Sequence, residues 1–215
     1  MLERFYIKQL LRFCWYSGNK KRFFSSILFQ LLCGLFDWNF LPASGTAGGV
    51  LVGLRTSKFN IISWDIKQFC VSALASNIGG GFTWKLITVY GSAYDEHKQE
   101  FLNELLAVMS EWEGPTLIGG DFNLIRNSAK KNNGNINYHW ADSFNEWIEH
   151  WGLIEIKNPN RAFTRTNNQE QLIMAVLDRI LVSTDFEAFY PMANVTGISR
   201  LGSDHVPLVI NFGTS

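Results

Sequence analysis

Two short polar motifs in this chain carry side chains that could cleave a phosphodiester bond. Asp121 and Asn123 follow the apolar run 116–119, and Asp204-His205 lies near the C-terminus. A carboxylate can orient or deprotonate an attacking water, an amide can donate to a phosphate oxygen, and an imidazole can act as a general base. Residues i and i+2 of an extended chain point the same way, so Asp121 and Asn123 can face one pocket.

Each motif also has a purely structural interpretation. Asp121 and Asn123 could form an Asx-type turn after a strand, which alone would be the commoner explanation. Asp204-His205 could be a surface turn before Pro207. If the second motif is functional, Asp204 can hold a hard cation such as Mg²⁺, and His205 can be a general base or bind the scissile phosphate.

A third acid, Asp178, lies in the strongly apolar run 177–182. Burial of an unpaired carboxylate is costly, so Asp178 must have a partner. That partner is either an imidazole, which Asp178 would fix in one tautomer, or a cation such as Arg179. The sequence favours neither.

The hydrophobic pattern predicts strands that deliver these motifs and two helices between them. The first helix follows Asp95, a candidate N-cap, and ends at Gly114-Pro115. The second has three tryptophans in a stripe over 140–151, interpreted as core packing, and ends at Gly152. The strands are predicted at residues 48–54, 69–75, 85–90, 116–119, 162–164, 172–182, 193–198 and 206–212. This order of elements predicts an α/β sandwich with sheets packed inside and helices outside.

Composition predicts one globular domain and gives little support for nucleic-acid binding. The 215 residues are 47% hydrophobic and 18% charged, and a formal net charge of +0 provides no global basic field. Three scattered cysteines (Cys14, Cys33 and Cys70) suit a reduced, intracellular compartment and indicate buried apolar residues. The apolar run 23–36 follows Lys20-Lys21-Arg22 as in a targeting signal. It is short for a membrane span, and a buried or partly buried helix is favoured.

Taken in order, the motifs resemble those of a known family. They are Ser44-Gly45-Thr46-Ala47-Gly48-Gly49-Val50-Leu51, Val89-Tyr90-Gly91-Ser92, His97-Lys98-Gln99-Glu100-Phe101, Gly119-Gly120-Asp121-Phe122-Asn123, Phe163-Thr164, Leu177-Asp178-Arg179 and Ser203-Asp204-His205. The set resembles the endonuclease/exonuclease/phosphatase superfamily. It is most similar to the endonuclease domain of plant non-LTR (LINE-type) retrotransposon polyproteins, over roughly residues 29–212.

This resemblance implies a fold and a set of catalytic residues. The fold is a four-layer α/β sandwich, with two packed mixed sheets flanked by helices. His205 would lie at the scissile phosphate, and Asp178 would orient its ring. Asp121 would position or deprotonate the attacking water. Asn123 would hold the phosphate, with Tyr90 on the phosphate side.

The resemblance also implies a metal, a substrate and their ligands. Asp204 matches the C-terminal carboxylate on the metal side, and Mg²⁺ or Mn²⁺ is the expected cofactor. Thr164 matches a DNA-contacting hydroxyl, and Ser203 is expected on the substrate side. DNA is the expected partner, with no membrane partner and no reverse transcriptase domain in this chain.

The N-terminal part departs from the family pattern. Family members open with an Asn-bearing strand and a second strand that carries the principal metal-binding glutamate. Residues 15–22 contain no acid, and Glu3 matches neither strand. We therefore expect residues 1–22 to be an unmatched segment and residues 23–215 to be the domain, lacking its first strands. A retrotransposon fragment of this kind would bind metal weakly and have impaired or no activity.

Two other functions fit the same residues. One is a non-catalytic remnant that binds nucleic acid or protein. The other is a phosphatase of the same superfamily, because the superfamily contains both nucleases and phosphatases. DNA binding without cleavage would favour the first, and hydrolysis of a phosphomonoester but not of plasmid DNA would favour the second.

Overall fold

The computed structural model describes residues 4–5, 35–42, 49–158, 160–167, 170–199, 204–206 and 208–212. The strands are β1 (Arg4–Phe5), β2 (Phe36–Leu41), β3 (Val50–Arg55), β4 (Phe59–Ile66), β5 (Cys70–Asn77), β6 (Thr83–Tyr90), β7 (Thr116–Asp121), β8 (Ile154–Glu155), β9 (Arg165–Thr166), β10 (Met174–Ala175), β11 (Asp178–Val182), β12 (Asn194–Gly197) and β13 (Leu208–Asn211). The helices are α1 (Lys98–Ser110), α2 (Tyr138–His150) and α3 (Thr184–Phe189), and short 3₁₀ turns cover Asp95–His97 and Ser128–Lys130.

A six-stranded mixed sheet, in the order β4-β5-β6-β7-β11-β8, forms the centre of the molecule. The β6–β7 pair is parallel and α1 lies in the connection between these strands, because parallel neighbours need a crossover. Strand β7 lies between β6 and β11. Its last residue, Asp121, is therefore opposite Tyr90 on one side and Asp178 on the other. This register brings two predicted carboxylates to one edge of the sheet.

The central sheet is buried on both faces. One face packs against α1 and α2 through a cluster that includes Ile118, Phe101 and Phe144. The other face packs against the strands of two smaller sheets, β2-β3 and β1-β13-β12, through side chains such as Trp84 and Ile210. This is the helix-on-sheet and sheet-on-sheet layering of an α/β sandwich, and it confirms the predicted fold class.

The N-terminal segment contributes to the smaller three-stranded sheet. Strand β1 pairs antiparallel with β13, with Arg4 opposite Asn211 and Phe5 opposite Ile210. The helix predicted over 23–36 lies outside the described residues except at its end, where Phe36 begins β2. No helix in the described part of the chain is long and apolar enough to span a membrane.

The two predicted helices are present, with a correction at the start of α1. Asp95 begins the 3₁₀ turn and is not the N-cap, because α1 begins at Lys98. The Asp95 carboxylate instead accepts hydrogen bonds from the side chains of Lys98 and Asn137. Leu106, predicted on the buried face of α1, is 46% exposed.

The tryptophan stripe of α2 packs as predicted. Trp147 is buried beside Phe144 in the core between helices and sheet, and Trp140 and Trp151 pack against that core with partial exposure. Gly152 follows the helix with a φ of 57°, the left-handed conformation that ends many helices.

The predicted C-terminal strands need two corrections. The strand expected at 172–182 is two strands, β10 and β11, and the strand expected at 162–164 begins at Arg165. The interruption is caused by Thr164. Its hydroxyl oxygen accepts hydrogen bonds from the backbone N–H groups of Leu177 and Asp178, which would bond to a neighbouring strand if the strand were continuous. Strands β2 and β4 were not predicted. Strand β4 is an edge strand with an irregular burial pattern and a register shift between Ile61 and Ser63.

Candidate active site

Asp121 is held at the buried end of β7 by the residue before it. Gly120 has a φ of 140°, and a Cβ atom there would lie 2.1 Å from the Val89 carbonyl oxygen. Only glycine fits such a position, so β7 can approach β6 closely. The Asp121 side chain at the end of this strand is 2% exposed. The run Gly119-Gly120-Asp121 therefore places a carboxylate in a nearly dry site.

Asn123 fixes the orientation of this carboxylate. Its backbone N–H donates to Asp121 Oδ1 at 2.9 Å, and its Nδ2 donates to Asp121 Oδ2 at 3.1 Å. The same Nδ2 donates to the Gly91 carbonyl oxygen at 2.8 Å, and Asn123 itself has a φ of 49°. The Asx turn considered from the sequence is thus present. The amide N–H groups donate to Asp121 and Gly91 in this structure, and the phosphate contact of Asn123 stays a prediction.

His205 lies between two carboxylates. Its Nδ1 is 2.9 Å from Asp178 Oδ2, and its Nε2 is 3.7 Å from Asp121 Oδ2. The imidazole is 15% exposed, whereas Asp178 is 5% exposed. The imidazole is therefore nearer to solvent, at the opening of the site, than the two carboxylates that it contacts. Of the two partners considered for Asp178, the structure shows the imidazole.

Arg179, the other candidate partner of Asp178, points to a different pair. Neighbouring residues of a strand face opposite sides, and the fully buried Arg179 guanidinium donates from Nη1 to Glu155 Oε1 at 2.8 Å. Arg126 donates to the other oxygen of Glu155 at 2.7 Å. These ion pairs join β8 and β11 and leave Asp178 for the site.

Burial and neighbouring charges raise the pKa values of both Asp121 and His205. Burial, together with the negative charge of Asp178, raises the pKa of Asp121 to about 7. Burial alone would lower the pKa of His205, but the hydrogen bond and charge of Asp178 outweigh it, and the net shift of this pKa is upward. A carboxyl group and an imidazole that lie side by side with raised pKa values can exchange a proton with a bound reactant.

Thr164 supports Asp178 from behind. Its hydroxyl oxygen accepts from the N–H groups of Leu177 and Asp178, both at 3.0 Å, and the residue is buried. The hydroxyl is thus bonded inside the protein, and the DNA contact of Thr164 stays a prediction. Tyr90 is partly buried against the core between the sheets and lies beside Asp121 in the β6–β7 register. Ser203 lies outside the described residues.

Asp204 lies next to a cation that the sequence analysis missed. Its Oδ2 accepts from Arg165 Nε at 3.2 Å, and the Thr166 N–H donates to its backbone carbonyl oxygen. Arg165 also pairs through its backbone with His205. Nothing in the sequence around Arg165 identifies it, because the contact depends on the register between β9 and residues 204–206.

Three side chains could hold a divalent cation in the described part of the chain. Asp121, Asp178 and His205 each offer a ligand atom, and these atoms all lie within 4.8 Å of one another. The two carboxylates fit the preference of Mg²⁺ and Mn²⁺ for oxygen ligands, whereas an imidazole is more typical of transition-metal sites. Asp204, the predicted ligand, is not in this group.

The fold and this site agree with a comparison with known families. The model of the endonuclease/exonuclease/phosphatase family matches residues 7–205, so the chain belongs to this family. The match begins inside the segment 1–22 that we expected to be unmatched and ends at His205. The nuclease and phosphatase superfamily suggested by the motifs is thus confirmed. By sequence, no curated protein matches the chain.

Solved structures of similar fold include an endonuclease domain, a protein in complex with DNA and a phosphatase. The endonuclease domain of TRAS1, a telomere-specific non-LTR retrotransposon, aligns with a TM-score of 0.60 at 12% identity, covering 81% of this chain and 79% of that one. TDP2 of D. rerio, complexed with a single-stranded DNA product, aligns at 0.58 and 15% identity, covering 88% and 82%. A mannosyl-6-phosphatase of Bacteroides thetaiotaomicron aligns at 0.55 and 15% identity, covering 82% and 76%. At these identities the likeness shows the fold alone.

Proposed function

We propose that this protein is a phosphodiesterase that nicks DNA, with Asp121, His205 and Asp178 as its catalytic group. The observation that carries the proposal is the position of the imidazole, bonded to one buried carboxylate and facing a second. This is the arrangement that acid–base chemistry at a phosphate needs. A structural ion pair would not require a second carboxylate on the far side of the ring.

Each side chain has a defined task in the reaction. Asp121, oriented by Asn123, takes a proton from the attacking water. The water oxygen forms a bond to phosphorus, the bond to the leaving oxygen breaks, and that oxygen takes a proton from solvent. His205, held by Asp178, donates a hydrogen bond to a phosphoryl oxygen as negative charge develops there. Thr164 positions Asp178 through the backbone of β11.

A divalent cation held by the Asp121 and Asp178 carboxylates would add charge stabilisation at the phosphate and the leaving oxygen, and would leave His205 Nε2 for the phosphoryl oxygen. We propose Mg²⁺ or Mn²⁺ for this role. The absence of an acid in residues 15–22 supports weak binding, because the principal glutamate of the family pattern is not found there. Asp204, Tyr90 and Ser203 remain proposed contacts on the metal and phosphate sides.

A cavity beside the catalytic group supports DNA over a small phosphomonoester. It has a volume of about 340 Å³ and extends from Asn123 to Trp140, with Lys98 and Lys131 in its lining. Cationic and aromatic side chains are the groups that contact phosphates and bases of a single strand. The resemblance to retrotransposon endonucleases supports the same choice, and we propose that origin for the chain.

Nicking of supercoiled plasmid tests the proposal. We expect the wild-type protein to nick the plasmid with Mg²⁺ or Mn²⁺, and His205→Ala to lose roughly a hundredfold or more of that rate. His150→Ala is the matched control, because His150 is exposed at the end of α2 and contacts Trp151. Equal nicking by both variants would refute the assignment.

The same preparation separates the two other functions. Hydrolysis of a phosphomonoester without plasmid nicking would identify a phosphatase. Binding of an oligonucleotide by a folded protein that hydrolyses neither substrate would identify a non-catalytic remnant.

A further inference from the structure

Arg165 is a partly exposed cation at the opening of the catalytic site. Its side chain is 34% exposed, whereas Asp204, to which its Nε donates, is 13% exposed. Its backbone pairs with that of His205, the next residue after Asp204. The guanidinium therefore belongs to the same edge as the imidazole, and the acids Asp121 and Asp178 lie deeper.

The charge of Arg165 reaches the catalytic carboxylate. The positive charge of Arg165 acts electrostatically on Asp121, the buried carboxylate behind the imidazole. An anion that enters the site would thus meet two nitrogen groups, the imidazole and the guanidinium, before it meets the buried carboxylates. That order of charges favours a phosphate over a neutral ligand.

Resting on the phosphodiesterase function proposed above, we propose that Arg165 is a phosphate-binding residue of this site and competes with a divalent cation for Asp204. The guanidinium binds the phosphodiester when no metal is present. Its ion pair with Asp204 must be broken or shared before that carboxylate can ligate a cation.

The chemistry of the guanidinium supports both parts of this inference. It has five N–H groups in a fixed planar fork, so Nε can donate to Asp204 while the Nη groups face solvent and a phosphate. A second cation near Asp204 would lie close to the fixed charge of Arg165. Repulsion between like charges in a partly buried site weakens metal binding at this carboxylate.

Two titrations on the full chain test the inference. The first measures the affinity for Mn²⁺ alone, by electron paramagnetic resonance of free Mn²⁺. The second measures binding of a fluorescent single-stranded oligonucleotide in EDTA, by anisotropy at several salt concentrations. The variants are Arg165→Gln and Arg165→Lys. Arg55→Gln is the control, because Arg55 is exposed on β3, contacts Phe36 and lies on a strand that carries no site residue.

The inference predicts opposite changes in the two titrations. Arg165→Gln is expected to bind Mn²⁺ about tenfold more tightly, because a neighbouring positive charge is gone. It is expected to bind the oligonucleotide several-fold more weakly, with a salt slope smaller by about one. Arg165→Lys should stay close to the wild type in both, and Arg55→Gln should change neither.

The outcomes that overturn the inference differ from those that refute the phosphodiesterase. Unchanged Mn²⁺ affinity in a folded Arg165→Gln protein overturns the competition, even if plasmid nicking still depends on His205. Unchanged oligonucleotide binding in EDTA overturns the phosphate contact. If Arg165→Gln does not fold, Asp204→Asn tests the competition for Asp204 and the phosphate contact of Arg165 instead. This variant should lose Mn²⁺ affinity and keep oligonucleotide binding, and loss of oligonucleotide binding would overturn the inference.

Discussion

Replacement of Gly120 by alanine should destabilise the protein severely, because two independent costs coincide there. The new Cβ would lie 2.1 Å from the Val89 carbonyl oxygen, and the φ of 140° is outside the range that alanine adopts. Backbone strain of this kind costs about 1–3 kcal/mol. A clash that shifts a packed strand costs about 1–3 kcal/mol more. Together these costs predict a loss of about 2–6 kcal/mol, a large part of the roughly 5–15 kcal/mol that stabilises a domain.

Urea unfolding of three glycine variants separates these costs. Gly80→Ala adds a Cβ with nothing within 4 Å and should change the free energy of unfolding by less than about 0.5 kcal/mol. Gly134→Ala has equal space but a φ of 66°, so backbone strain alone should cost about 1–2 kcal/mol. Gly120→Ala adds the clash. If Gly120→Ala costs no more than Gly134→Ala, the close approach of β7 to β6 and our account of how Asp121 is positioned are wrong.

Two other substitutions test the charges of the site and its support. In the folded state the pKa of Asp121 is raised from 3.8 to about 7, because burial favours the neutral carboxyl group. The contribution of this group to stability is therefore fully present below about pH 4 and is lost as the pH rises through 7. The stability of Asp121→Asn relative to the wild type, measured by urea unfolding, should therefore increase as the pH rises from 5 to 8. A relative stability that decreases with pH would contradict the assignment. Glu155→Gln leaves the buried Arg179 guanidinium without its carboxylate and should cost about 3–5 kcal/mol by the same assay. The exposed Glu111→Gln control should cost less than about 1 kcal/mol, and equal losses would refute this role of Glu155.

The sequence was sufficient to require a partner for Asp178, because burial of an unpaired acid is costly, but it left an imidazole and a cation equally open. It also predicted the strand that ends at Asp121, since a short apolar run followed by Gly-Gly-Asp has few other interpretations. These inferences need only local pattern and one energetic rule. Both inferences follow from residue types along the chain, without knowledge of the fold.

Contacts set by strand register could not be predicted in the same way. The ion pair between Arg165 and Asp204 joins residues 39 positions apart, and the pair between Arg179 and Glu155 joins residues 24 apart. Thr164 was assigned to DNA from its motif, yet its hydroxyl is bonded to the backbone of β11. An edge strand such as β4 lacks the continuous apolar pattern of a central strand, so its sequence gives a weak signal.

The pairing of β13 with both β1 and β12 has a consequence for the order of folding. During translation, β5, β6 and β7 can assemble while the imidazole of His205 has not yet been synthesised. Without His205, the chain places Asp121 and Asp178 opposite each other with no imidazole between them. Repulsion between the two carboxylates then disfavours the pairing of β7 and β11 at this end. In such a chain the imidazole is missing from between the two acids, so the group to which we assign catalysis is incomplete until residues 204–206 are in place.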